Sequence, residues 1–195
     1  MSTEREGELP SGYTWRECGP IKAKFPMPQE WFFKELASRN TQNFFMSREQ
    51  IQIKDEFLIS SPGGGIDLKT TNPEGYFKTG LTVNVFFNTY KNLRRTASAM
   101  AGYFMEDPPK ELIPTSQIIR QRDGNLIIYR RFFRSEIPVL RGIKMVPANY
   151  YVEFTANNRT DTAYHVMFET PSEKWGEDEA IARMMIENRV LDQST

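Results

Sequence analysis

His165 is the only histidine among the 195 residues, so any mechanism with an imidazole base would have to use it. The runs NYYVEFTA and TAYHVMFE flank a loop at residues 157–161, which predicts a β-hairpin. With Ala156 opposite Thr162, Glu153 lies opposite His165 and is placed to orient its ring. A nucleophile is missing, because the chain has no G-x-S-x-G elbow or comparable motif. We therefore interpret Glu153 and His165 as a surface cross-strand pair and predict no catalytic residue.

Metal and cysteine chemistry have little basis in this sequence. One histidine and scattered carboxylates do not have the spacing of metal ligands. Cys18 is the single cysteine, which excludes an internal disulfide and a cysteine-based metal site. Its surroundings, RECGP, predict a loosely held segment with a free thiol. We expect neither a metal nor a cofactor.

Three consecutive glycines in FLISSPGGGIDLKT, from Phe57 to Thr70, raise the question of a phosphate-binding loop. A Walker loop requires Lys and then Ser or Thr directly after its last glycine, whereas Ile66 and Asp67 follow here. A dinucleotide loop requires G-x-G-x-x-G leading into a helix, whereas a Thr-Thr-Asn-Pro turn follows. We interpret Pro62 to Gly65 as a connecting loop, and its role stays open.

Arginines and aromatic residues are concentrated in SQIIRQRDGNLIIYRRFF, where two β-rich runs flank the turn pair Asp123-Gly124. A two-residue loop at that pair places Arg120 opposite Ile127. One side of the ladder then carries Arg120, Arg122, Tyr129 and Arg131. We predict these four as contact residues for a carboxylate, a phosphate or an acidic protein surface, and they complete a predicted binding set with Glu153 and His165. The alternative is a solvated edge whose charges discourage strand aggregation.

Charge is distributed unevenly along a chain whose net charge is zero. Residues 81–150 carry eleven basic and five acidic side chains, a balance of +6. Residues 151–195 carry four basic and nine acidic ones, a balance of −5. A chain with a pI of about 6.6 lacks the broad basic field that dominates nucleic-acid binding. We therefore expect a protein partner with an acidic surface and no nucleic acid.

Targeting and membrane signals do not stand out in the sequence. No run reaches the roughly 18 apolar residues of a membrane helix, and the N-terminus lacks the apolar stretch of a secretory signal. We expect a cytoplasmic protein without a transmembrane segment. Residues 1–23 are interpreted as a polar N-terminal arm and residues 24–195 as a single domain.

Hydrophobic periodicity indicates both strands and helices. Alternation in LTVNVFFN predicts a strand with one core face and one wetter face, and Phe86 on the wetter side indicates that a helix covers part of that face. WFFKELA fits helix or strand, and the turn residues after it favour a strand. Helical spacing in NLRRTASAMAGYFMED predicts one helix capped by Asn92, and EDEAIARMMIENRVL predicts a closing helix whose inner face includes Met185 and Leu191. The predicted fold class is α+β, with a mostly antiparallel sheet sandwiched between helices.

Four segments occur in a characteristic order: PQEW (Pro28–Trp31), NFFMSREQI, GYFKTGLTVNVF (Gly75–Phe86) and YHVMFETPSEKW (Tyr164–Trp175). Together they resemble the PsbP-like superfamily, the fold shared by the photosystem II extrinsic subunit P, a Ran-binding nuclear protein and uncharacterised bacterial proteins. The likeness covers residues 24–192, and the triple glycine departs from the family's pattern. The resemblance implies an α/β/α arrangement and a non-enzymatic role in binding or assembly, and it supplies no catalytic residue.

The leading hypothesis is therefore a non-enzymatic protein-binding or assembly module. The alternative is a small-ligand-binding protein or an enzyme with a pocket between the sheet and the helices, since aromatic residues, 13% of the chain, could line such a pocket. A third hypothesis is a homo-oligomer that pairs through the exposed edge of the arginine hairpin.

Overall fold

The structure, a computed structural model, describes residues 8–37, 41–49, 79–139 and 144–191. Its strands are β1 (Tyr13–Cys18), β2 (Ala23–Pro28), β3 (Phe32–Ala37), β4 (Thr41–Ser47), β5 (Gly80–Phe86), β6 (Ile113–Pro114), β7 (Ile119–Asp123), β8 (Leu126–Val139), β9 (Lys144–Asn157) and β10 (Thr162–Pro171). Its helices are α1 (Thr89–Leu93), α2 (Ala97–Glu106) and α3 (Trp175–Glu187). The triple-glycine segment lies outside the described residues.

Eight of these strands form one sheet in the order β3-β4-β5-β10-β9-β8, after which β6 and β7 both pair with β8. Every strand pairing in the described ranges is antiparallel. Helix α2 packs on one face of the sheet, and α3 packs on the other together with the separate β1–β2 hairpin. The predicted α+β class, with an antiparallel sheet between helices, is confirmed.

The central strands are buried on both faces. All ten residues of β10 are buried, with Val166 in the core beneath α3 and Met167 in the core beneath α2. The strand predicted in LTVNVFFN is confirmed as β5, but its predicted wetter face is wrong. Thr82 and Asn84 are only 1% and 2% exposed. A strand covered on both sides can carry polar residues only where they find partners, as Asn84 does with a side chain of β10.

The β1–β2 hairpin includes Tyr13 to Cys18, which lie within the predicted polar arm of residues 1–23. Tyr13 to Cys18 pair with Ala23 to Pro28 along their whole length. The prediction of a loosely held segment around Cys18 is wrong, because this thiol is fully buried. Burial raises the pKa of Cys18 to about 12, so the thiol stays protonated and unreactive. The favoured strand assignment of WFFKELA is confirmed as β3.

The hairpin β7–β8 is confirmed, but its two-residue loop lies one residue later than predicted. The loop consists of Gly124 and Asn125. Gly124 has a φ of +55° and Asn125 does not adopt a positive φ, which is the pattern of a type II′ turn with glycine first. Arg120 therefore lies opposite Tyr129 rather than opposite Ile127. Because this shift moves the pairing by two positions, the arginines keep the predicted face.

The hairpin β9–β10 is also confirmed, but its register differs from the prediction by one residue. Thr162 pairs with Asn157 rather than with Ala156. The side-chain oxygen of Asn157 accepts a hydrogen bond from the backbone N–H of Arg159 at 3.1 Å, an Asx turn that starts the loop after this residue. A slip of one residue reverses which side chains of β9 share a face with those of β10.

The single helix predicted after β5 is in fact two helices. Helix α1 ends at Leu93, and the next residue, Arg94, has a left-handed φ of +58°. Helix α2 begins after Thr96, whose hydroxyl accepts a backbone N–H of the first turn at 3.3 Å. Asn92, the predicted cap, lies inside α1. Thr96 is also a favourable capping residue by type, and it lies four residues after Asn92, the predicted cap.

The predicted closing helix is confirmed as α3, with Met185 fully buried. It ends at Glu187, so Leu191 reaches the core from the chain beyond the helix and not from its inner face. Asp178 in the first turn is buried and forms an ion pair with Arg48. This carboxylate therefore fixes the start of α3 to the segment that follows β4.

Candidate functional site

The end of the sheet formed by β7 is its most exposed part. All five residues of β7 are exposed, and among the described strands β7 pairs only with β8. Arg120 and Arg122 project toward the α2 side, whereas Ile119, 47% exposed, projects toward the other. We call β7 with these three side chains the basic edge. It presents two cations and an apolar side chain on a strand whose second side is unpaired within the described residues.

Arg120 and Arg122 have different neighbours across the ladder, but neither has an anionic partner among the described residues. The guanidinium carbon of Arg120 lies 5.4 Å from the ring centroid of Tyr129, directly across the ladder. Arg122 lies opposite Ile127. Within the described residues neither arginine forms an ion pair with a carboxylate. The basic edge therefore carries two charges that are available to an anion.

Tyr129 and Arg131, predicted on the same face, are placed deeper than the two exposed arginines. Tyr129 is only 7% exposed and its ring supports Arg120 from below. Arg131 donates from Nε to the carbonyl of Ser116 at 3.0 Å and from Nη1 to the carbonyl of Met105 at 2.5 Å. Because Met105 lies in the last turn of α2, this side chain holds the helix end and the β6–β7 connection to β8.

Glu153 lies on the α3 face, in a buried cluster of charges. Its Oε2 is 2.8 Å from Nε of Arg130, and its Oε1 forms an ion pair with Arg189 at 2.5 Å. The hydroxyl of Thr155 donates to Oε1 at 2.8 Å. The carboxylate is fully buried, and the side chains of Arg130 and Arg189 are 11% and 6% exposed. We call Arg130, Glu153 and Arg189 the buried triad.

His165 lies on the opposite face of the sheet, in the core beneath α2. It pairs across the ladder with Phe154, and its ring centroid is 4.9 Å from that of Phe104 in α2. Its Nδ1 is 3.3 Å from the side-chain nitrogen of Asn84, and its Nε2 has no hydrogen-bond partner among the described residues. Burial lowers the pKa of His165 to about 4. The imidazole is therefore neutral near pH 7.

The predicted pairing of Glu153 with His165 is wrong in register and in exposure. The two side chains point to opposite faces, and both residues are fully buried. Glu153 lies opposite Val166 and Arg130 instead. With the correct register of β9 and β10, the sequence would have placed Glu153 on the side away from His165. The arrangement cannot act as a carboxylate–imidazole dyad.

The structure brings part of the predicted set together. Arg120, Tyr129 and His165 belong to one row of paired residues across the α2 face of the sheet, whereas Glu153 lies on the other face. Arg189 was missed, because nothing in the sequence links the chain after α3 to β9. Arg130 follows Tyr129 directly in the chain, so the alternation of a strand places it on the face opposite Arg120, and this alternation was the available signal for its position beside Glu153.

The described residues show neither a cluster of metal ligands nor a membrane-spanning helix. In those ranges no group of three or more His, Cys, Asp or Glu side chains is arranged to hold a metal ion. Similarly, no helix in the described part of the chain is long and apolar enough to cross a membrane.

Comparison with known structures decides the fold. Cyanobacterial PsbP (CyanoP) from Synechocystis sp. PCC 6803 superposes with a TM-score of 0.51 and 11% identity, over 96% of this chain and 99% of that one. The fold is that of the PsbP-like proteins. The Ran-binding protein Mog1p from Saccharomyces cerevisiae has the same PsbP-like fold, with a TM-score of 0.50, 9% identity and coverage of 93% and 97%. The resemblance noted in the sequence is thus confirmed for the fold.

Sequence comparison adds nothing to the structural result. No protein-family model and no curated protein matches the chain. Because identities near 10% leave few side chains in common, the PsbP-like fold does not identify a shared site. Any function must be argued from the residues of this chain.

Proposed function

We propose that this protein is a non-enzymatic binding module that attaches to an acidic protein surface through the basic edge. The observation that carries the proposal is the pair Arg120 and Arg122, exposed on an edge strand and without carboxylate partners in the described residues. A guanidinium presents a planar fork of donors that matches a carboxylate, and arginine is enriched in protein interfaces.

The apolar side of the basic edge supports a protein as the partner. Ile119 is 47% exposed, and Ile113 in the neighbouring β6 is 49% exposed on the same face. Protein interfaces combine such apolar contacts with charged rims, whereas a nucleic-acid surface would require a larger basic field than a chain of zero net charge supplies. The PsbP-like fold is compatible with this role, since Mog1p is described as Ran-binding.

The second hypothesis for the arginines is that they only protect the edge from aggregation. An edge strand has unpaired backbone groups, and charged side chains prevent their pairing with other chains. Both hypotheses predict exposure, but only the binding hypothesis predicts that reversing the charge abolishes a specific association. The distinction is therefore experimental.

The test places a photo-crosslinking amino acid at Asn125, an exposed residue of the loop that directly follows β7. Proteins crosslinked in a native extract are quantified for the wild type, for Arg120→Glu/Arg122→Glu, and for the charge-matched control Lys91→Glu/Arg94→Glu on and beside α1. We expect at least about a tenfold loss of the captured partner in the first variant, because two attractive contacts become repulsive. The control should keep the partner.

Purified partner then permits a direct titration at two salt concentrations. Binding should weaken as salt rises, since exposed charges are screened within about 10 Å at 0.1 M. Equal capture by both double variants and the wild type would contradict the proposal and leave edge protection as the role of the arginines. Loss of capture in the control alone would place the contact near α1.

A further inference from the structure

A groove of about 620 Å³ lies along one stripe of α2, away from the basic edge. Met100, Tyr103, Phe104 and Asp107 line it at helical spacing i, i+3, i+4 and i+7. Leu93 closes the groove on the side of α1. Volumes of roughly 300–1,000 Å³ are typical of sites for small molecules. The groove is therefore large enough to hold a ligand of that class.

The inner part of the groove is apolar and rigidly supported. Met100 and Phe104 are each 4% exposed. The ring of Phe104 is packed against His165, Phe154 and Phe133, with centroid distances of 4.9, 5.8 and 6.4 Å. A wall supported by three rings needs little reordering when a ligand arrives, which reduces the entropic cost of binding.

The outer part of the groove leaves large apolar side chains in water. Tyr103 is 53% exposed and Leu93 is 42% exposed. The turn Pro108-Pro109 completes the lining beyond the end of α2. Covering these side chains would be favourable by about 25 cal/mol for each Å² of apolar surface removed from water. An apolar ligand body has a clear driving force to enter.

The charges at the groove favour an anion. Arg95 and Lys110 both line it, and neither forms an ion pair within the described residues. The guanidinium carbon of Arg95 lies 4.4 Å from the ring centroid of Tyr103, so this cation is held over the apolar wall. Asp107 is the single carboxylate among the described lining residues, whose net charge is +1.

We propose that this groove binds small amphiphilic carboxylates, with the apolar body against Phe104 and Tyr103 and the carboxylate at Arg95 or Lys110. We favour a small molecule over a protein as the occupant, because the groove of about 620 Å³ has the volume of a small-ligand site. A specific protein interface would cover about 800 Å² on each partner and extend well beyond such a groove. The site is separate from the basic edge, and its ligand binds whether or not the edge has a protein partner.

The experiment uses dodecanoate below its micellar concentration as the probe, and dodecylammonium as a control of equal chain length and opposite charge. Isothermal titration gives both affinities, and amide chemical shifts locate the site. We expect dodecanoate to bind more tightly, with the largest shifts in α2. Equal affinities for the two probes, no heat of binding at two well-separated temperatures, or shifts centred elsewhere would overturn the proposal.

Variants supply the second arm. Arg95→Glu/Lys110→Glu should weaken dodecanoate binding by roughly tenfold or more and should strengthen dodecylammonium binding. The control Arg134→Glu changes an exposed residue on the face of the sheet opposite α2, which does not line the groove, and should leave both affinities within about twofold of the wild type, as expected for a remote charge. An equal effect of the control would show a general charge effect and would refute the site. The two probes on the wild type decide the matter if a variant fails to fold.

Discussion

Replacement of Glu153 by Gln tests whether the buried triad is held by charge. The substitution preserves shape but removes the anion between Arg130 and Arg189, whose side chains are 11% and 6% exposed. Two guanidinium groups would then remain in the protein interior without a counter-charge. Breaking a buried ion pair in this way costs about 3–5 kcal/mol.

The lower end of that range is the better expectation, because Arg130 retains a hydrogen bond to Gln121 at 3.0 Å and can reach water. A loss of about 3 kcal/mol should lower the melting temperature by roughly 6–12 °C in a protein of this size. Urea unfolding followed by the fluorescence of the three tryptophans measures the free energy of unfolding directly. The matched control is Glu179→Gln, which removes an ion pair whose carboxylate is 39% exposed and should cost less than about 1 kcal/mol.

A triple variant separates charge from packing. Arg130→Met/Glu153→Leu/Arg189→Met replaces the buried triad by apolar side chains and removes every unpaired charge. Such replacements are often neutral or stabilising by about 1–4 kcal/mol, so this variant should be at least as stable as the wild type. The reasoning is refuted if Glu153→Gln unfolds within about 1 kcal/mol of the wild type at an unchanged m-value, or if the triple variant loses as much as the single one.

Three further predictions concern the titration of two buried side chains, His165 and Glu169, and the turn at Gly124. Burial lowers the pKa of His165 to about 4, so between pH 6.5 and 4 the unfolded chain binds a proton that the folded chain does not. This contribution should lower the stability by up to about 1.4 kcal/mol per pH unit on acidification through that window, measured as the pH slope of the wild type minus that of His165→Phe, and equal slopes would contradict it. Burial raises the pKa of Glu169 to about 8, so its contribution has the opposite sign: it should lower the stability as the pH rises from about 4.5 to 8, and the difference between the wild type and Glu169→Gln in urea titrations measures it. Gly124→Ala places a Cβ at a φ of +55° and should cost about 1–2 kcal/mol by thermal unfolding; a neutral result would mean that the turn relaxes.

The elements of this fold were predictable because they depend on local patterns. Alternating apolar residues identified β5, and paired β-rich runs around turn residues identified both hairpins. Registers were not predictable to the residue, because they depend on the backbone conformation of the loop. Gly124 takes the first loop position, not the second, and Asn157 ends β9 by accepting from the loop.

The candidate site shows why these two register errors have different consequences. The two-position shift at Gly124 left Arg120 and Arg122 on the predicted face, so their placement survived. The one-position shift at Thr162 separated Glu153 from His165 and removed the proposed pair. Contacts between distant parts of the chain, such as Arg189 with Glu153, leave no periodic signal and require the fold.

The buried triad also gives the basic edge a mechanical support. Arg130 is the common member, because it binds Glu153 in the interior and donates to Gln121 of β7 at 3.0 Å. Arg189 extends the same ion-pair chain to the segment after α3. An edge strand with one neighbour among the described strands and no buried residue has little packing of its own, so these polar contacts limit its fraying. The exposed arginines of β7 are thereby presented on a strand that is anchored to the core through its opposite face.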